Sequence, residues 1–399
     1  MSTSAQPGPS AAEINLATQA REMPGKPIPV LLTVRELDHG GIERDVTKIA
    51  LQLDRSRFQP HVASYRAKGM RHEELRRAGV PFLHLPVSSL KSPATLSAAM
   101  CMRRYIREHK IRLVHAYDPS AVFVVPVARA LRVPAVLSST LGNRSLLSAR
   151  SRRQIRWTDR MVDTVVVNCE AMRRHMIEDE HVSGESVALC YNGVDLSDFY
   201  PGPARKPFPV SDASLVIGTV CVLRPEKRID LLQEAFARIR DLRAGMKLLI
   251  VGSGPELPRL QANRQRLGLE NECFFVPATP SVPQYLRAFD IFVSSSSSEA
   301  FSNAILEAMA CGVCAVGSRV GGTPELIGND QRGLLFESSD AGDLAAKLAI
   351  LIENEGPRRE FAARGAEFAR TKLSLEIAAR RMAEIYEVVL HRKAAGSLC

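Results

Sequence analysis

The chain has 399 residues, 45% of them apolar and 24% charged, the proportions of an ordinary soluble globular protein. At about 100–200 residues per domain this predicts two or three domains, each large enough to bury a sizeable core. Eight cysteines are scattered along the chain, several inside apolar runs, which excludes a disulfide framework and fits a reducing compartment. The formal charge of +10 is uneven. Through Ala204 there are 28 Lys+Arg against 20 Asp+Glu, and beyond it 25 against 23. The basic excess therefore belongs to the N-terminal half. Its field favours an anionic partner, be it a phosphorylated acceptor, an acidic membrane surface or nucleic acid, unless it serves solubility alone.

Residues 1–26 are rich in Ser, Ala, Pro and Gly, lack the apolar stretch of a secretory signal and predict a flexible tail. Short β-type runs then alternate with helical patterns. Strands are predicted at Ile28–Val34, His61–Tyr65, Pro81–Leu85, Leu113–Ala116, Ala135–Ser139, Thr164–Asn168 and Val187–Leu189, with a helix near Ile42–Leu53 after Gly40-Gly41. No run of about 18 apolar residues exists; Ala121–Leu137 comes nearest and is broken by Pro126, Arg129, Arg132 and Pro134. The expected location is cytoplasmic, compatible with lying on the inner face of a membrane. Four prolines between Phe199 and Pro209 mark a linker. The alternation restarts with strands at Leu215–Val222, Lys247–Val251, Cys273–Val276, Ile291–Ser294 and Val313–Gly317. Helices are predicted at Asp230–Arg240, Glu256–Leu267, Val282–Phe289 and Asn303–Ala310, and Asp340 to His391 is almost wholly helical by pattern. Repeated β-α alternation predicts parallel sheets covered on both faces, hence two doubly wound α/β domains facing a cleft. The boundaries read as 27–204 for the first domain, 205–370 for the second and 371–399 for a C-terminal helix.

Three constellations carry chemistry. In Ser298–Gly312 a polar loop leads into a helix with its apolar face at Ile305, Leu306 and Met309. Ser302 or Asn303 suits the N-cap, and free amides there suit a phosphate or a sugar hydroxyl. Glu299 precedes this helix and Glu307 lies about one turn inside it, where a carboxylate can accept two hydrogen bonds from a ribose diol. The alternative is a helix-start charge and a surface residue. In Gly218–Asp230 a strand ends in a turn carrying Arg224 and Lys227, two cations able to clamp a diphosphate or simply to face solvent. Val251-Gly-Ser-Gly254 is a further Gly-rich strand end. Asp38–Glu43 brings Gly40 and Gly41 to a helix start, without the G-x-G-x-x-G spacing of a dinucleotide fold.

Together these residues resemble the family 4 retaining glycosyltransferases of the GT-B fold. The resemblance rests on Gly40-Gly41-x-Glu43, Asn192-Gly-Val-Asp195 with Phe199, Arg224-Pro-Glu-Lys227, Val251-Gly-Ser-Gly254, Glu299 with its seven-residue gap to Glu307, and Gly321-Gly322. It covers nearly all the chain after about Pro29. It implies a nucleoside-diphosphate sugar bound by the C-terminal domain and an acceptor bound by the N-terminal one, with the last helix returning to the latter. Glu307 would hold the ribose, while Glu299 with Ala300, Phe301, Ser302 and Asn303 would address the donor sugar. Arg224 and Lys227 would neutralise the leaving diphosphate, helped by the Gly40-Gly41 amides, with Gly254 also at the donor. It implies no metal and no cofactor beyond the sugar nucleotide. No recognised nucleic-acid module is apparent and aromatic residues are only 6%, so no nucleic-acid partner is expected. Related nucleotide-sugar epimerisation, phosphorolysis, or a non-enzymatic basic scaffold are the alternatives.

Two positions depart from that pattern. Relatives often carry His-x-His where this chain has His115-Ala-Tyr117, so His115 is either the catalytic substitute or a structural histidine. The position of a frequent arginine is Val222, leaving Arg224 as its replacement. Cys311-Gly-Val-Cys314 mimics a redox motif but reads as packing. Asn143–Arg160 reads as a basic helix with Leu146, Leu147, Ile155 and Trp157 as apolar anchors. It suits either anionic lipid or a sheet with its arginines in solvent.

Overall fold

The computed structural model describes residues 26–396 apart from 39, 88–91, 143, 145, 146, 204, 205 and 208. The predicted tail, Leu146 and part of the Pro-rich linker lie outside the described residues.

Two compact units emerge, and the chain visits them in interrupted order. The first holds residues through Val167, Met176–Cys190 and Ala378 onward; the second holds Asn168–His175 and Tyr191–Ile377. The passage into the second unit thus comes at Tyr191, ahead of the prolines, rather than at 205. Backbone pairing explains this: Val194 bridges Ser374, with Val194 N–H donating to the Leu373 carbonyl at 2.9 Å and Leu375 N–H to the Val194 carbonyl at 2.9 Å. The return likewise falls at Ala378 rather than at 371.

The first unit is a seven-stranded parallel sheet, ordered β3-β2-β1-β4-β5-β6-β7. Its strands are β1 (Ile28–Val34), β2 (Phe58–Ser64), β3 (Phe82–His84), β4 (Leu113–Tyr117), β5 (Ala135–Thr140), β6 (Thr164–Val167) and β7 (Val187–Leu189). Because both faces are covered, the strands read as continuous buried runs rather than alternations, as in Val30–Leu32 and Val165–Val167. Helices α1 (Gly41–Gln52) and α2 (Met70–Arg77) follow the crossovers that run one way along the sheet. Helices α3 (Ala94–Glu108), α4 (Ala121–Ala130) and α5 (Ala149–Asp159) follow those that run the other way. Right-handed connections then place the two sets on opposite faces. The core agrees: Val46 and Ile49 of α1 share one cluster with Leu75 of α2, whereas Ala98, Met102 and Ile106 of α3 share another with Val124 and Val125 of α4. Helix α6 (Glu170–Glu178) lies between β6 and β7 in the chain.

The second unit is a six-stranded parallel sheet, ordered β10-β9-β8-β11-β12-β13. Its strands are β8 (Leu215–Val220), β9 (Met246–Val251), β10 (Cys273–Val276), β11 (Ile291–Ser294), β12 (Cys314–Ser318) and β13 (Gly333–Phe336). Between them run α7 (Ile229–Ile239), α8 (Leu257–Arg266), α9 (Val282–Ala288), α10 (Asn303–Ala310) and α11 (Thr323–Ile327). Strand β13 and helix α11 escape sequence reading. Each is four or five residues long, too short to show a period, although Pro324 at the start of α11 and the left-handed Gly328 after it are ordinary helix punctuation.

The tail resolves into α12 (Ala341–Glu353), α13 (Glu355–Lys372) and α14 (Leu375–Gly396). Helix α12 is N-capped by the Asp340 side chain. Met382, Ala383, Ile385, Tyr386 and Val389 of α14 join the cluster that covers β1 and β4 in the first unit. No helix among the described residues is long and apolar enough to cross a membrane.

Candidate functional site

In an open parallel sheet a ligand crevice opens where strand order reverses, beyond the carboxyl ends. In the second unit β8 leads leftward to β9 and β10, while β11 leads rightward to β12 and β13, so the reversal lies between β8 and β11. The segments leaving these two strands carry the predicted charges. A short 3-10 turn at Pro225–Lys227 follows β8, and Ser295–Ser302 follows β11.

Backbone and side-chain bonds knit the two segments together. Ser297 N–H donates to the Glu226 carbonyl at 2.8 Å, and Ser295 Oγ donates to the Lys227 carbonyl at 2.9 Å. Lys227 Nζ and Glu299 Oε2 meet at 2.6 Å, with Ser296 Oγ donating to the same oxygen at 3.4 Å. Burial works against the Lys227 charge, but the adjacent Glu299 carboxylate more than offsets this, so the lysine pKa is raised and the side chain stays cationic. Arg224 is exposed beside them. Val222 is also exposed, at 42%.

The loop ahead of α10 is fixed by glycines. Gly321 has φ +51°, and a Cβ there would lie 1.7 Å from the Glu299 carbonyl oxygen. Gly322 N–H donates to the Ala300 carbonyl at 2.6 Å, and Cys169 Sγ donates to that carbonyl at 3.2 Å. Gly254, after β9, sits so close that its Cβ would fall 2.3 Å from the Leu223 carbonyl oxygen. The Gly-rich strand end therefore supports the Arg224 turn from beneath.

Ser302 is the N-cap of α10, its hydroxyl accepting from Ile305 N–H at 3.4 Å. Phe301 is buried and its ring lies 5.4 Å from that of Tyr191. Asn303 opens the helix, its Oδ1 accepting from Asn192 Nδ2 at 3.0 Å. Glu307 is 4% exposed, so it is an inward carboxylate rather than a surface residue. The structure thus brings Lys227, Glu299, Ala300, Phe301, Ser302 and Asn303 together, with Arg224 and Gly254 adjoining and Glu307 one turn behind.

Sequence reading overlooked the scaffolding. Glu325 accepts from Glu170 N–H and Ala171 N–H, both at 2.9 Å, and from Tyr191 OH at 3.0 Å, which caps α6. No local pattern signals this, because the partners are more than 130 residues apart.

Gly40, Gly41 and His115 belong to the first unit. Gly40 precedes α1 in extended backbone, and the Glu43 carboxylate folds over it. His115 corrects the sequence reading. It is fully buried, its Nδ1 2.8 Å from Tyr386 OH and its Nε2 2.8 Å from Ser139 Oγ. Burial pushes its pKa down to about 3, so it is neutral. With both nitrogens engaged in the core it joins α14 to the sheet and leaves none to address a donor sugar. Tyr117 is buried beside it, the rings 4.4 Å apart. Cys311 and Cys314 are buried free thiols, both pushed up to about 12 by burial, which is the packing reading rather than redox chemistry.

The chain is similar to known glycosyltransferases. The family described as "Glycosyl transferases group 1" matches residues 204–368, and "Glycosyltransferase Family 4" matches residues 39–198. The chain is 27% identical over 234 residues to N-acetyl-alpha-D-glucosaminyl L-malate synthase of Bacillus anthracis, covering 57% of this chain and 61% of that protein. It is 29% identical over 199 residues to D-inositol 3-phosphate glycosyltransferase of Segniliparus rotundus, covering 48% and 44%. The chain thus spans between about two fifths and three fifths of the length of these relatives. Among solved structures, Anabaena HepE in complex with UDP-glucose superposes with a TM-score of 0.80 at 21% identity, covering 90% of this chain and 100% of that one.

Proposed function

The chain belongs to the family 4 glycosyltransferases and has the GT-B fold, and from that premise we propose that it moves a hexosyl-type unit from a nucleoside-diphosphate sugar to a hydroxyl acceptor with retention of configuration. The observation that carries the reading is the Lys227–Glu299 pair at 2.6 Å, set at the strand reversal beside the start of α10. A uridine nucleotide is the first donor to try, because Anabaena HepE was solved with UDP-glucose.

On this reading Glu307 accepts the ribose hydroxyls, and the amides at the start of α10 receive phosphate oxygens. Lys227 leaves its carboxylate partner to meet the diphosphate, and Glu299 is released to hold the donor sugar. The acceptor oxygen attacks the anomeric carbon from the face the diphosphate leaves. The bond to phosphate breaks as the new glycosidic bond forms, and the acceptor proton passes to the departing phosphate oxygen. Positioning and charge then do the catalysis, and we assign the diphosphate charge to Arg224 and Lys227 rather than to a metal ion. The basic N-terminal half suits a lipid-linked or polysaccharide acceptor met at the inner face of a membrane.

Calorimetry with uridine diphosphate tests the donor site. Glu307→Gln and Lys227→Ala should each weaken binding at least about tenfold, the scale of a lost charged hydrogen bond. Wild-type affinity in both variants would remove the site. Release of free nucleoside diphosphate only when acceptor is present would separate transfer from epimerisation or hydrolysis.

A further inference from the structure

Helices α3, α4 and α5 all follow crossovers that run the same way along the first sheet and therefore cover the same face of it. Their inner sides are settled. Ala98, Met102 and Ile106 of α3 lie in the core with α4, and α5 packs on α4. Helix α5 is further fixed by a buried ion network: Arg144, 1% exposed, holds Asp159 at 2.6 Å and Thr140 Oγ1 at 2.8 Å. Ile155, an expected anchor of a lipid-facing stripe, points inward and is 2% exposed. The helices thus stand without help from their outer faces.

Those outer faces have an unusual composition. Along α3, Leu96 and Met100 are 69% and 57% exposed, followed at helical spacing by exposed Arg103 and Arg107. Along α5, exposed Arg150, Arg153 and Arg160 flank Trp157, which is 55% exposed and is the only tryptophan in the chain. Arg156, on the same side, is engaged by Glu180. None of Arg103, Arg107, Arg150, Arg153 or Arg160 has an ion-pair partner among the described residues.

We infer that the outer face of α3 and α5 is the surface by which the protein lies on an anionic phospholipid bilayer. The inference rests on the membrane-side reading above and names the surface responsible. Large apolar side chains interleaved with arginines match the boundary between headgroups and acyl chains: Leu96, Met100 and Trp157 enter it, and the guanidinium groups reach phosphate. Unpaired like charges disfavour a second copy of the same face. A nucleic acid would leave the exposed leucine and methionine without a partner.

The lone tryptophan makes the test direct. The full chain is mixed with vesicles of phosphatidylcholine containing phosphatidylglycerol, and with vesicles of phosphatidylcholine alone. Binding is followed by sedimentation and by Trp157 emission. The expected result is salt-sensitive binding to the anionic vesicles only, with a blue shift of the emission. Arg150→Glu with Arg153→Glu, and separately Arg103→Glu with Arg107→Glu, should each lower partitioning at least about tenfold, since each surface cation contributes several-fold. Far-UV circular dichroism and the thermal unfolding of these variants should be unchanged, which reports that the first unit, where the substitutions lie, still folds. Anionic-vesicle binding without a shift at Trp157 and indifferent to all four reversals would overturn the surface and leave the membrane reading standing. Absence of binding to anionic vesicles would overturn both, and a DNA oligonucleotide binding through these arginines in its place would assign the face to nucleic acid.

Discussion

At the carboxyl end of β4 in the first unit, His115, Tyr117 and Ser139 are sealed into the core with Tyr386. Beyond the carboxyl end of β8 in the second, Lys227 and Glu299 form a partly buried ion pair on loops held in place by glycines. The two sheets share parallel topology and continuous apolar strands, yet one strand end is closed by mutual satisfaction and the other keeps charge near solvent. A polar residue at a strand end is thus not a site by position alone. What separates the cases is whether its hydrogen bonds are completed inside the core.

The strongest way to break this contrast is Lys227→Ala. If the second sheet's strand end does the chemistry, kcat/KM for sugar transfer should fall by about 10²–10³, the scale of a lost charge-stabilising donor. A fall of less than tenfold would put the site elsewhere. Gly321→Ala comes next. Its new Cβ must displace the Glu299 carbonyl, and at φ +51° the backbone itself resists a side chain. We expect a loss of about 1–2 kcal/mol in urea denaturation together with a rise in KM for the donor, and an unchanged KM would uncouple the loop from donor binding.

His115→Phe sharpens the other side of the comparison. Removing it leaves Tyr386 OH and Ser139 Oγ without a shared partner, so stability at pH 7 should drop by about 1–3 kcal/mol while kcat/KM stays within about threefold. A large kinetic loss at unchanged stability would return His115 to the donor. The same residue also sets a pH dependence. His115 stays neutral in the fold down to about pH 3, whereas the unfolded chain takes up the proton near 6.5. The unfolded state therefore binds more protons in this window, and stability falls as pH drops from 6.5 toward 3. About 2 kcal/mol should be lost by pH 5, and His115→Phe should flatten that part of the profile.

Much of this was legible in the residues. The β-α alternation located twelve of the thirteen strands within a few residues, because parallel strands buried on both faces form apolar runs that need no partner to be seen. The residues of the proposed donor site were visible because Glu299, Ser302 and Glu307 are spaced by a local rule, a loop followed by one helical turn. His115 stayed open between two roles because nothing near it announces Tyr386, 271 residues away. The same blindness hid Glu325 beneath α6. It also moved the boundary, since the Val194–Ser374 bridge overrides the prolines that seemed to mark it.

During synthesis the ribosome delivers all of the second unit before it delivers Met382 to Val389. These residues complete the core around the chain's first strands. Residues 191–377 can therefore fold while the older sheet still waits, with β1 and β4 lacking their last cover. A stop codon just before Ala378 would leave the second unit whole and strand the first as exposed apolar surface. Such a truncated nascent chain would be a client for chaperones or proteases through its beginning rather than its end.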